Sequence, residues 1–103
     1  MQRTVERHQI EGLDERRRVF NRLVDILRID KGYSSFFHYE GLTFEANPFR
    51  TIEETLRDLI AQLHKTGFSN LRTRRNFRGK RYFAEREAWV NYDDPGAGEP
   101  QSP

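Results

Sequence analysis

Six cations fall within ten residues of this chain: Arg72, Arg74, Arg75, Arg78, Lys80 and Arg81. Asn76 and Phe77 interrupt them, and Tyr82 and Phe83 follow. Guanidinium groups grip phosphate through paired hydrogen bonds and stack on bases, while aromatic rings offer faces to unpaired bases. Residues 68–82 hold these six cations and no acid, whereas the remaining residues set twelve cations against sixteen acids. The charge is therefore +6 locally and −4 elsewhere, behind a net charge of +2. Such local basicity says more about a partner than the net charge does. Arg72, Arg74, Arg75, Phe77, Arg78, Lys80, Arg81 and Tyr82 are the candidate nucleic-acid-binding residues. A structural reading competes with this one. Lys and Arg commonly guard edge strands, and here they could neutralise Glu85, Glu87 and the Asp93–Asp94 pair.

Other chemistry is thinly represented. His8, His38 and His64 are far apart and not at metal-ligand spacing. Glu53 and Glu54 are explained by helix capping and an ion pair, so they do not make a catalytic carboxylate pair. There is no Gly-rich phosphate loop, G-x-S-x-G or H-E-x-x-H. The absence of cysteine excludes a disulfide framework, a thiolate metal site and a cysteine nucleophile. No metal or other cofactor is implied. Arg, His and Glu gathered across strands, as in small ribonucleases, are the enzymatic alternative.

The elements that must carry the basic stretch are read from periodicity. Thr51–Gly67 predicts a helix. Thr51 and Glu54 have capping-box spacing, with the Glu54 carboxylate reaching back to the Thr51 N–H. Ile52, Leu56, Leu59, Ile60 and Leu63 make one apolar stripe, and Gly67 with Phe68 makes a Schellman stop. Asp14 predicts the cap of an earlier helix running to about Asp30, with Gly32 as its stop and Phe20, Leu23, Val24 and Leu27 as its core stripe. Val19, Ile26 and Ile29 widen that stripe, which places them inside the monomer or on a homodimer seam. Residues 33–46 switch to a period of two, with Glu40-Gly41 as a hairpin turn. Leu71 to Tyr92 predicts a second hairpin with its tip near Arg78–Arg81, although 83–89 also suits a short helix. On such a strand Arg72 and Arg74 share one face, and Arg75 and Phe77 the other.

The organisation expected is a flexible N-terminal arm over 1–12, a single α+β domain over 13–92 and a disordered tail over 93–103. Arg3, Arg7 and His8 fall in the arm, where they could touch a partner, although a loose terminus is the commoner explanation. The fold class is α+β, a two-layer sandwich of one antiparallel sheet with two helices on one face, in the order α-β-β-α-β-β. No apolar run reaches the roughly 20 residues of a membrane span, so a cytoplasmic location is expected. The function expected is a small non-enzymatic nucleic-acid-binding module using the Arg-rich hairpin, with RNA ahead of DNA because no recognition-helix pair is present. A protein–protein interaction or assembly module, with an acidic protein surface as partner, is the alternative.

Overall fold

The computed structural model describes residues 3–78, 81–82 and 87–95. Their elements run β1 (Arg3–Leu13), β2 (Val19–Ile29), β3 (Gly32–Tyr39), β4 (Leu42–Glu45), α1 (Ile52–Thr66), β5 (Ser69–Arg78), β6 (Arg81–Tyr82) and β7 (Val90–Asn91). All strands join one antiparallel sheet of order β4-β3-β2-β1-β5-β6, with β7 also pairing β5. The two-helix order α-β-β-α-β-β is thereby overturned: among the described residues four strands precede a single helix. The Arg3–Leu13 stretch, expected as an arm, is instead a strand hydrogen-bonded on both sides, to β2 and to β5.

The helix expected over 14–30 is a hairpin end followed by β2. Its apolar residues satisfy two periods at once, and the pleat decides between them. Phe20, Val24 and Ile26 turn inward to the core, while Val19, Leu23, Leu27 and Ile29 take the other face. The homodimer seam of Val19, Ile26 and Ile29 is broken up by this, since Ile26 is fully buried and Val19 is 84 % exposed. Asp14 does not cap a helix. Its buried carboxylate accepts the Arg16 and Arg18 N–H groups, the Arg18 guanidinium and the Tyr39 hydroxyl, all at 2.8–2.9 Å. These bonds close a tight turn in which Arg17 adopts φ 63°. Gly32 is not a helix stop either. It lies where a side chain would meet the Phe49 carbonyl, letting Tyr33 and Phe49 pair as a bridge.

Elsewhere the periodic reading matches the elements. Glu40 (φ 45°) and Gly41 (φ 84°) form the two-residue turn between β3 and β4. In α1 the Thr51 hydroxyl accepts the Glu54 N–H at 3.1 Å, but it donates to the Glu54 carboxylate instead of leaving that group to its own N–H. Gly67 is left-handed, and Phe68 N–H reaches Leu63 C=O at 3.0 Å. Leu56, Leu59, Ile60 and Leu63 are buried against the sheet. Beneath them, Phe20 meets Phe37, Tyr39 and Phe68 with ring centroids 5.2–6.1 Å apart. The helix touches β3 and β4 on one side and β5 on the other, so the sheet wraps around it. No helix among the described residues is long and apolar enough to cross a membrane.

Burial raises the Asp14 carboxyl, yet its hydrogen bonds and the Arg18 charge outweigh that and hold it at about 2, against 3.8 ordinarily. A depressed carboxyl stabilises the fold above its unfolded value and loses that contribution as pH falls through the folded one. Urea denaturation at a series of pH values should show stability falling between about pH 4 and pH 2. In Asp14→Asn the protein should be less stable at neutral pH and should lose less over that window. An equal fall in both proteins would contradict the assignment.

Candidate nucleic-acid interface

Strands β5 and β6 form the basic hairpin, with Phe77 opposite Tyr82 and Arg78 opposite Arg81. The reversal falls where the sequence puts it; Gly79 and Lys80 at its tip lie outside the described residues, as do 83–86 of the segment read as strand or helix. Which face each side chain takes follows from the register with β1. Ile10 opposes Thr73 and His8 opposes Arg75, but Arg7 opposes Phe77, so Asn76 is an extra residue in β5. This bulge reverses the alternation. Phe77 joins Arg72 and Arg74 on the helix-free face, and Arg78 joins Arg75 on the helix side. The expectation that Arg75 and Phe77 share a face is corrected accordingly. The cations do not make one patch.

On the helix-free face, Arg72 and Arg74 are held inside the molecule's own network. Arg72 binds Glu11 through Nε at 2.6 Å and also through its Nη2. Arg74 donates to Gln9 at 2.9 Å, Gln9 to Asn21 at 3.0 Å, and Asn21 to Glu11 at 2.8 Å. The Trp89 ring lies over both guanidiniums, its centroid 4.2 Å and 4.3 Å from them. For these two arginines the structural reading holds. Farther toward the tip on this face, Phe77 and Tyr82 contact each other at 5.0 Å, and the Arg7 guanidinium lies 5.8 Å over Phe77. Arg7 is shared with Asp25 at 2.9 Å, and Tyr82 is 60 % exposed.

On the helix side, Arg75 binds Glu87 at 2.6 Å and lies 3.7 Å from Glu6. Glu6 in turn accepts from His8 Nε2 at 2.8 Å, within a buried pair. Arg78, with 68 % of its side chain exposed, approaches the other Glu6 oxygen at 4.0 Å. Burial raises the Glu6 carboxyl, but the His8 hydrogen bond and the His8, Arg75 and Arg78 charges prevail and keep it below its ordinary value. Glu6, His8 and Arg75, with Ile52 and Leu56 of α1 and Ala88 and Val90, line a cavity of about 440 Å³. Tyr92 closes one side, its hydroxyl 2.9 Å from Thr73 Oγ1.

Sequence reasoning offered Arg7 and His8 as partner contacts of a loose arm and did not place them, Glu6 or Trp89 beside the hairpin. The signal was present but weak. Glu-x-His on a strand puts both side chains on one face, yet nothing apolar marks that face until Ile10. The remaining histidines lie elsewhere: His38 bonds Thr43, and His64 is 3.7 Å from Asp94. Asp94, from the stretch expected as tail, also accepts the Asn70 N–H at 2.9 Å; residues 96–103 lie outside the described residues. Comparison with protein-family models, with curated proteins and with solved structures found no match to this chain.

The division among the arginines is measurable. Arg72→Met and Arg74→Met each remove a stacked, hydrogen-bonded cation and should cost about 1–2 kcal/mol in urea denaturation. Both should also shift the emission of Trp89, the chain's sole tryptophan. Arg78→Met should stay within about 0.5 kcal/mol of the parent. Equal losses at all three would contradict the division.

Proposed function

We propose that this chain is a small non-enzymatic module that binds single-stranded nucleic acid, RNA ahead of DNA, at the end of the β5–β6 hairpin. The observation that carries the proposal is the exposed Tyr82 ring paired with Phe77, bordered by Arg7 on its own face and by Arg78 and Arg81 on the other. Aromatic faces accept unpaired bases of any sequence, and nearby guanidiniums follow the backbone. Arg78 pairs directly opposite Arg81, so two cations stand together at this end of the hairpin. The single helix supports single strands over duplex grooves. Its apolar stripe is spent on the sheet, and its first turn carries Glu53 and Glu54, which phosphates would repel. Arg72, Arg74 and Arg75 leave the binding set and become its scaffold. Lys80, outside the described residues, remains in it by sequence alone.

The assembly alternative has one observation in its favour: Val19 and Leu23 are exposed, at 84 % and 47 %, on the helix-free face. Light scattering across concentration separates the two. A strict monomer removes self-association.

Fluorescence anisotropy with labelled single-stranded RNA and DNA tests the main reading. Three phosphates held by Arg7, Arg78 and Arg81 predict a slope of log affinity against log salt of about −2. Tyr82→Ala should weaken binding at least about fivefold. Charge reversal in Arg78→Glu/Arg81→Glu should abolish binding at moderate salt. No binding by the parent chain at low salt, or binding indifferent to both variants, rejects it.

A further inference from the structure

We infer that a second pair of arginines, Arg3 and Arg28, carries the backbone of a bound single strand onward from the hairpin across the end of the sheet. The inference rests on the single-strand reading and adds to it a path and two residues outside the basic stretch. Strand register is its basis. Arg3 lies directly opposite Arg28 in the pairing of β1 with β2, and Arg78 lies opposite Arg81 in the pairing of β5 with β6. Two residues along β2 from Arg28 is Ile26, which opposes Glu6, and Glu6 in turn opposes Arg78. The two arginine pairs are therefore offset along the strands by one pleat repeat, about 7 Å. Together they span the neighbouring strands β6, β5, β1 and β2, a width of about 14 Å from Arg81 to Arg28.

All four share the helix-side face, and all four are exposed. Ile26 is fully buried in the core, and Arg28 follows it by two on the same strand. The partner of Arg28 on β3 is Tyr33, which packs against the core, and its partner on β1 is Arg3. Arg28 is held in place by this neighbour: its guanidinium lies 5.1 Å over the Tyr33 ring and donates to the Tyr33 hydroxyl at 2.9 Å. That bond uses one of five guanidinium N–H groups, so donors remain for an anion. Among these cross-strand partners Glu6 is the sole acid, and it is buried and bonded to His8.

Guanidiniums repeated in this way suit phosphates, which are contacted for position and carry no sequence information. The row joins the aromatic site at the edge of the sheet. Strand β6 ends the strand order, and its two residues, Arg81 and Tyr82, point to opposite faces. A strand stacked on Tyr82 rounds this edge and enters the row at Arg81, continuing over Arg78 to Arg3 and Arg28.

Fluorescence anisotropy of the full chain with single-stranded RNA of two lengths, about three and about nine nucleotides, is the test. The short strand fills the hairpin site alone, whereas the long one reaches Arg3 and Arg28. The slope of log affinity against log salt should steepen by about 1.4 between them, the contribution of two more phosphates. Arg3→Met/Arg28→Met should erase that increment and leave the binding of the short strand unchanged. Arg16→Met/Lys65→Met removes the same charge at the opposite end of the molecule, beside the β1–β2 turn and in the last turn of α1, and should keep the increment. Arg3→Met alone, an exposed change at the start of β1, should remove about half of it and serves if Arg28→Met fails to fold. A slope that does not change with length, or an increment that the Arg3 and Arg28 variants leave intact or the control removes equally, overturns the path. So does a polyglutamate peptide that binds in place of both strands, which would assign the row to an acidic protein. The outcomes also separate the two proposals. Length-independent binding that needs Tyr82 leaves the module standing and removes the path, whereas an increment that needs Arg3 and Arg28 but ignores Tyr82→Ala does the reverse.

Discussion

The structure turns on a mismatch of lengths. Helix α1, with 15 residues, is about 22 Å long, whereas β1, with 11, extends for about 36 Å. One helix must cover the inner side of a sheet whose two longest strands overrun it. Over the covered part the inward residues are apolar: Ile10, Val24, Ile26, Phe37 and Leu71. Beside them on the same inward face stand Glu6, opposite Ile26, and His8, opposite Val24, with Arg75 and Arg78 next to these on β5, ionisable groups that must satisfy one another. The core and the cavity thus share one surface. The wrapping of the sheet eases the mismatch, and the register shifts at Val5 and Asn76 are where strands of this kind bend.

The same division explains what could be read in the sequence. Helix α1 was fully legible, because Thr51, Gly67 and the Leu56–Leu63 stripe agree on a period and on both ends. The Glu40-Gly41 turn and the Arg78–Arg81 reversal were legible from local turn chemistry. Strand β1 was not, since half of its inward positions are the charged groups of the cavity, and alternation without hydrophobic contrast looks like a loose terminus. Strand β2 failed for the opposite reason. Its apolar residues occupy both faces, so a helical stripe through Phe20, Leu23, Val24 and Leu27 can be drawn as easily as a strand. Asp14 deepened the error, as one side chain chemistry serves both helix caps and hairpin turns.

The basic stretch shows how little composition says about a surface. Six neighbouring cations would form one patch on a regular strand pair only if they shared a face. Alternation already sets Arg75 against Arg72 and Arg74, and a single inserted residue, Asn76, sends Arg78 and its partner Arg81 to the Arg75 side as well. It also brings Phe77, with its hairpin partner Tyr82, to the face of Arg7, which alternation alone would forbid. Trp89 and the Gln9–Asn21–Glu11 chain then take up Arg72 and Arg74, which leaves the distal arginines to face solvent.

Strand order has a temporal side. Strands β1 to β4 pair with their sequence neighbours, but the other edge of β1 is completed by β5, some sixty residues downstream. A chain emerging N-terminus first therefore makes β1 well before β5 and leaves one whole side of it bare until the helix has been produced. During that interval the backbone of β1 is an open template, and the Glu6, Arg7 and Glu11 charges along it are what discourage a stray strand from pairing there before β5 arrives.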